Sequence, residues 1–322
     1  MRAKIIGTGS CLPDKIVTND ALSALVDTSD EWIQSRTGIC GRHLVSAEHE
    51  TTLSMAVKAG QAALTDAGIL PQQLDLILVA TVSSDFMTPS TACMVQKELG
   101  ASHAAAFDIN AACSGFLFAL NTVDAYFQAG IYQTALIIGV ETLSKLIDWS
   151  DRSTCVLFGD GAGAAIAKAS EEGMIASLQG SDGSGGDILV CRNRSNNNPY
   201  IHTGTELDYL FMDGQEVFKF AVKKEPECIQ ALLQQAGMQP ADVDYYLLHQ
   251  ANYRIIASIA RKLKLPLEKF PSNVSHCGNT SAASIPILLD EVNKKGMLPK
   301  DSLILLSGFG AGLTWGAALL KW

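Results

Sequence analysis

A thiol, an imidazole and a carboxamide, far apart in the chain, are the side chains best suited to carry chemistry: Cys113, His249 and Asn279. Cys113 lies in "DINAACSGFLFAL" (108–120), after an apolar strand and before a stretch whose apolar residues, Phe116, Leu117, Leu120 and Val123, have helical spacing. That spacing predicts a helix of about 17 residues, stopping at Gly130, with Cys113 in its first turn. There, unpaired N–H groups and the positive end of the helix dipole favour a thiolate, so the thiol is expected to ionise below its ordinary value of about 8.5. Ala111, Ala112, Ser114 and Gly115 leave room for a substrate, in the manner of a nucleophile elbow. A cysteine that only packs in a core is the plain alternative, and this segment alone leaves both open.

A nucleophilic cysteine works with a partner. His249, one of six histidines, ends the apolar segment "DYYLLHQAN". Asn279, in "HCGNTSAAS", precedes a predicted helix, where asparagine is also a common N-cap. "GFGAG" (308–312) suits a tight turn that brings a backbone N–H close to the nucleophile, as an oxyanion hole requires. By contrast, "GTGSCLP" (7–13) lacks dinucleotide-fingerprint spacing, and Pro13 blocks the helix such a motif must open. A nucleotide-binding fold is rejected.

The elements that must position these groups are written twice. "AGILPQQLDLILV" (67–79) returns as "AGMQPADVDYYLL" (236–248), with Ala67, Gly68, Pro71 and Asp75 answering to Ala236, Gly237, Pro240 and Asp244, 169 residues on. The same offset carries Asn110 onto Asn279 and sets His249 where the first copy has Ala80. It also predicts that Asn279 lies near the start of the Cys113 helix. A second echo, "GDGAGAA" (159–165) against "GFGAGLT" (308–314), has a shorter offset and implies extra residues in the first half around 142–157. Duplicated strand–helix alternation predicts an α/β fold of two halves, 1–172 and 173–322, with the buried strands read as continuous apolar runs. "CRNRSNNNPYIHTG" (191–204) is expected to be a surface loop.

The 322 residues are 48% hydrophobic, enough for a large core, and the net charge of −9 argues against nucleic acid as a partner. No apolar run is long enough to span a membrane and the first residues lack a signal-peptide pattern, so a cytoplasmic location is expected. Eight cysteines occur singly, with no C-x-x-C pair, and no metal site is predicted.

Six segments in order, "DTSDEWIQSRTGI" (27–39), "DINAACSGF" (108–116), "FGDGAGA" (158–164), "HQANYRI" (249–255), "GNTSAAS" (278–284) and "GFGAGLTWG" (308–316), resemble β-ketoacyl-acyl-carrier-protein synthase III from end to end. The resemblance implies a thiolase-like fold, two duplicated halves in a five-layer α-β-α-β-α arrangement. It implies a decarboxylating Claisen condensation by a ping-pong route through acyl-Cys113, needing no cofactor. His249 and Asn279 would stabilise the enolate, and the backbone N–H groups of Cys113 and Ala311 the tetrahedral oxyanion. Elongating relatives use two histidines and thiolases a second cysteine near the last glycine turn; this chain has neither.

The resemblance also implies partners. Acyl-CoA would meet Thr28, Trp32, Arg36, Arg152 and Asn252. An acidic acyl-carrier protein would dock on Arg254, Arg261 and Lys262 of the basic stretch 252–269, joined by Lys219 from "EVFKFAV". A homodimer is implied. Departures from the family pattern are Ala311 in place of a frequent glycine, His276–Cys277 before "GNTS", and Thr88 where phenylalanine commonly closes the acyl pocket. His276 receives no catalytic role. Thr88 predicts room for primers longer or bulkier than acetyl. Rival readings are a condensing enzyme of secondary metabolism, a cysteine hydrolase and a non-catalytic partner subunit.

Overall fold

The computed structural model describes residues 1–203 and 208–322. In the first half the apolar runs become β1 (Arg2–Cys11), β2 (Leu76–Ala80), β3 (Ala105–Ile109), β4 (Thr134–Glu141) and β5 (Gly161–Ser170), in spatial order β1-β5-β4-β2-β3. In the second they become β6 (Met174–Ser181), β7 (Tyr245–Leu248), β8 (Leu303–Gly310) and β9 (Thr314–Lys321), ordered β6-β9-β8-β7. Both sheets pair antiparallel through their first three strands and parallel beyond.

The helices are α1 (Asp30–Thr37), α2 (Thr52–Ala67), α3 (Thr91–Leu99), α4 (Gly115–Gln128), α5 (Gly214–Ala236), α6 (Tyr253–Leu263) and α7 (Ser284–Lys294), with shorter turns between. Strand alternation sorts their partners. Leu76 and Leu78 face inward, sharing a core with Phe116 and Leu120 of α4, Leu288 of α7 and Leu306 of the other sheet. Ile77 and Val79 face outward against Met55 of α2 and Val95 of α3. In the second sheet Tyr246 and Leu248 meet Ile229 of α5 and Ile259 of α6. Two helices thus lie between the sheets and two pairs cover them, giving the five layers of a thiolase-like fold.

The repeat has a backbone counterpart. Gly68 and Gly237 close α2 and α5 at φ 66° and 68°, the left-handed region where glycine is strain-free. The second echo is corrected: Gly161 opens β5, whereas Gly308 and Gly310 belong to the end of β8, so the two glycine motifs sit on non-equivalent strands. The insertion itself lies where expected, since residues 142–160 join β4 to β5 while 311–313 suffice between β8 and β9. β3 has no counterpart strand. Val274–Cys277 forms a helical turn instead, and Asn279 pairs with the inserted segment through one bridge to Phe158. Residues 191–203 are largely exposed; Gly204 lies outside the described residues. Among the described residues no helix is long and apolar enough to cross a membrane.

One core group works against stability. Glu225 of α5 is 1% exposed, and both its carboxylate oxygens and the neighbouring Ser307 hydroxyl lack a hydrogen-bond partner. Burial pushes its carboxyl up to about 8 from 4.5. A group whose folded value is raised costs nothing below its unfolded value and destabilises progressively as pH climbs towards 8. At neutral pH the cost is about 3 kcal/mol. Glu225→Leu is expected to raise the melting temperature at pH 7 and to flatten its decline between pH 5 and 8. Melting curves at both pH values check this; an unchanged slope contradicts it.

Candidate active site

The site grows from one local device used twice. Helices α4 and α7 are each preceded by a single 3-10 turn, Ala112–Ser114 and Ser281–Ala283. The residue opening each turn is left-handed without being glycine, Ala112 at φ 46° and Ser281 at φ 48°. Such backbone is strained and persists only when its surroundings impose it. An asparagine precedes each turn and accepts the N–H two residues on: Asn110 Oδ1 from Ala112 at 3.3 Å, Asn279 Oδ1 from Ser281 at 2.9 Å. With its oxygen so engaged, Asn279 keeps its NH2 as the free donor.

Cys113 therefore sits one residue past the strained position, at the foot of α4, 9% exposed. The end of β8 runs against it: a Cβ on Gly310 would come within 2.6 Å of the Cys113 nitrogen. Glycine is required there to let the strand approach the nucleophile. Ala311, the next residue, is not among those with positive φ, so its extra methyl imposes no backbone strain. The helix start is expected to lower the thiol's ionisation; burial of the sulfur acts the other way and pushes Cys113 up to about 12.

His249 follows β7 and is 2% exposed. Its Nδ1 meets Ser284 Oγ at 2.6 Å, and Ser284 Oγ also accepts the Gln250 N–H at 3.4 Å. The Ser284 hydroxyl has a proton it can donate to Nδ1, the arrangement that places the ring hydrogen on Nε2. Burial lowers the imidazole to about 3, so it is neutral. Phe309 meets the ring edge-on at 5.5 Å.

Cys113, His249 and Asn279 line one cavity of about 530 Å3, together with Phe309 and Gly310. The buried triad forms its inner end. Leu189, Met212 and Phe218 make apolar walls, and the exposed residues Arg36, Lys219 and Arg254 lie at its other end. The inner end can bind a carbonyl oxygen by neutral donors while a thiol attacks.

The remaining expected residues divide. Trp32 carries Arg36 at 4.5 Å and Arg152 at 5.0 Å from its ring. The Thr28 hydroxyl is buried without a hydrogen-bond partner. Asn252 caps α6 through the Arg254 N–H at 2.8 Å and donates to the Arg36 carbonyl at 3.2 Å, tying α1 to α6. Lys219 pairs with Glu216 at 2.8 Å, and Arg254 packs over Phe218. Arg261 and Lys262 do not line the cavity, and Lys262 is engaged with the Val222 carbonyl at 2.7 Å. Thr88 is exposed and also lies outside the cavity lining of this chain. His276 pairs with Glu291 at 3.4 Å and is not among the residues lining the cavity. Missed from the sequence were Ser281, Ser284 and Glu141, the last of which accepts the Ser281 hydroxyl at 3.2 Å. All three sit where the two copies of the repeat differ in residue type.

Cys113, His249 and Asn279 thus meet in one cavity within the two α/β halves of a thiolase-like fold. The family profile "3-Oxoacyl-[acyl-carrier-protein (ACP)] synthase III" matches residues 107–183, and its C-terminal companion matches 233–322. The beta-ketoacyl-[acyl-carrier-protein] synthase III of Clostridium acetobutylicum is 50% identical over 321 residues, covering 99% of this chain and 98% of that protein. The crystal structure of 3-oxoacyl-[acyl-carrier-protein] synthase III from Aquifex aeolicus VF5 superposes with TM-score 0.93 at 45% identity, covering 99% and 100% of the two chains. The priming beta-ketosynthase of the R1128 polyketide pathway superposes with TM-score 0.92 at 34% identity, covering 99% and 96%. The chain belongs to the β-ketoacyl-acyl-carrier-protein synthase III family.

Proposed function

We infer that the chain condenses acyl-CoA with malonyl-acyl-carrier protein, releasing CoA and CO2 and giving a 3-oxoacyl-carrier protein that starts fatty-acid synthesis. The observation that carries this is the meeting of Cys113, His249 and Asn279 in the lining of one cavity. Cys113 attacks the acyl-CoA thioester, and the backbone N–H groups of Cys113 and Ala311 hold the oxyanion. CoA leaves, and the acyl group waits on sulfur. Malonyl-carrier protein then enters. Nε2–H of the neutral His249 and the Asn279 amide donate to its thioester oxygen, where charge gathers as CO2 departs. The resulting enolate attacks the acyl-Cys113 carbonyl.

Trp32, flanked by Arg36 and Arg152, suits the flat, charged adenine nucleotide of CoA, with Thr28 and Asn252 beside it. The exposed Phe86 and Met87 next to Thr88 support burial of this segment against a second copy. Thr88 would then face the partner's acyl pocket and leave it roomy. Product formation assayed by mass spectrometry, with malonyl-carrier protein and a panel of acyl-CoAs, tests the function. Medium-length or branched acyl-CoAs are expected to outpace acetyl-CoA; absence of any 3-oxoacyl product refutes the reading. The second reading, priming in secondary metabolism, rests on the 34% identical polyketide ketosynthase, and the acceptor used decides between them.

Arg254 and Lys219 line the cavity's exposed end and are the first contacts proposed for an acidic carrier protein, with Arg261 and Lys262 more remote. Arg254→Glu is expected to raise KM for malonyl-carrier protein about 10-fold, roughly the cost of one reversed interface charge, while acylation of Cys113 by acyl-CoA keeps its rate. Equal loss in both half-reactions contradicts the docking role.

A further inference from the structure

An amide that stabilises an enolate must be aimed at one oxygen, and Asn279 is held from two sides. The inserted segment pins its backbone: the Asn279 N–H donates to the Leu157 carbonyl at 2.9 Å, and its carbonyl accepts the Gly159 N–H at 3.0 Å. Its side chain is held through Oδ1, which accepts the Ser281 N–H at 2.9 Å. Ser281 is tethered in turn. Its hydroxyl donates to Oε1 of Glu141 at 3.2 Å, and Glu141 is fully buried at the end of β4. The other carboxylate oxygen, Oε2, accepts the Val82 N–H at 3.1 Å, Ser83 Oγ at 2.5 Å and Thr81 Oγ1 at 3.3 Å. The anchor of the tether is therefore itself clamped.

The other half of the molecule supplies a control. Strand pairing sets Leu76 beside Ala135 and Tyr245 beside Ile304, so the 169-residue offset holds on both strands and Glu141 corresponds to Gly310. Ser281 and Ala112 open the two equivalent 3-10 turns. The Ala112 turn has neither hydroxyl nor carboxylate, and Asn110 accepts its N–H at 3.3 Å instead of 2.9 Å. Ala112 still keeps φ 46°, against 48° in Ser281, so the turn folds without a tether. What the tether adds is a closer hold on one asparagine, and it is present only behind the one that lines the cavity.

Resting on the reading of Asn279 as enolate donor, we propose that Glu141, acting through the Ser281 hydroxyl, is a positioning residue that sets the aim of the Asn279 amide. It touches no substrate and moves no proton. Anchoring the Ser281 side chain fixes the direction of the Ser281 N–H, that N–H fixes Oδ1, and with Oδ1 fixed the NH2 group has one direction left.

The test is single-turnover condensation with malonyl-carrier protein, in enzyme acylated beforehand. Ser281→Ala copies the turn that Ala112 already makes and is expected to slow condensation about 10-fold by loosening the donor. Glu141→Leu should match it; if that variant melts early, Ser281→Ala decides alone. In Glu141→Gln the Val82 N–H can only donate, so the amide oxygen takes the place of Oε2 and the NH2 group meets Ser281 Oγ. Most of the rate is expected to return. Added to Asn279→Ala, Ser281→Ala should cost nothing further, because the amide it aims is gone. A general structural loss would slow both backgrounds alike. Crystal structures of wild type and Ser281→Ala read the aim without any reaction: the Asn279 amide is expected to leave its wild-type rotamer or to spread over two. Unchanged condensation in Ser281→Ala, an unmoved amide, or a further loss in the Asn279→Ala background overturns the proposal. A wild type that forms no 3-oxoacyl product refutes the condensing function, and the crystal comparison still decides the tether.

Discussion

Cys113→Ala is expected to reduce 3-oxoacyl product to background, a loss of at least about 10,000-fold, because the acyl group then has no atom on which to wait. The three other buried cysteines, Cys155, Cys228 and Cys277, do not line the cavity and give no substitute. The donors His249 and Asn279 remain in place, held by Ser284 and by the Ser281 N–H rather than by the sulfur. Malonyl-carrier protein should therefore still lose CO2 slowly, its enolate being protonated instead of attacking a primer. Parallel assays of CO2 release and of condensed product separate the two. Condensation surviving in Cys113→Ala contradicts covalent catalysis.

Removing one enolate donor is expected to leave the first half-reaction intact and to slow the second. His249→Ala and Asn279→Ala should each lower condensation by about 100- to 1,000-fold while acyl-Cys113 still accumulates. Asn279→Asp should be slower than Asn279→Ala, because a carboxylate repels the oxygen on which charge develops. The pH sign follows from burial. The His249 imidazole is lowered to about 3, so it stays neutral through the working range and its protonation limb falls in strong acid. A rate that declines with a midpoint near 6.5 as pH falls, and loses that midpoint in His249→Ala, contradicts this assignment. Single-turnover experiments on enzyme already acylated read the second step alone.

The layered architecture was legible because its signals are local. Strand alternation, glycine helix stops and the 169-residue offset each rest on a few neighbouring residues, and Gly68 with Gly237 shows them in backbone form. The meeting of Cys113, His249 and Asn279 was legible for a related reason: His249 for Ala80 breaks the repeat in a residue able to do chemistry. Ser281 for Ala112, Ser284 for Gly115 and Glu141 for Gly310 break it too, yet serine and glutamate have many surface uses, so nothing local marked them. Their meaning comes from pairing across the two halves at the foot of α4 and α7. The ionisation of Cys113 is a different case. A sequence displays a helix start but not the depth of the sulfur beneath it, and burial pushes the thiol up. The glycine-motif echo misled because similar turns serve the entrance of one strand and the exit of another.

Intact-protein mass spectrometry after brief exposure to acyl-CoA, followed by peptide mapping, reads the account most directly. One acyl increment confined to the peptide bearing Cys113, discharged on adding malonyl-carrier protein, is the predicted result. No increment, or an acyl group resting on another residue, contradicts it.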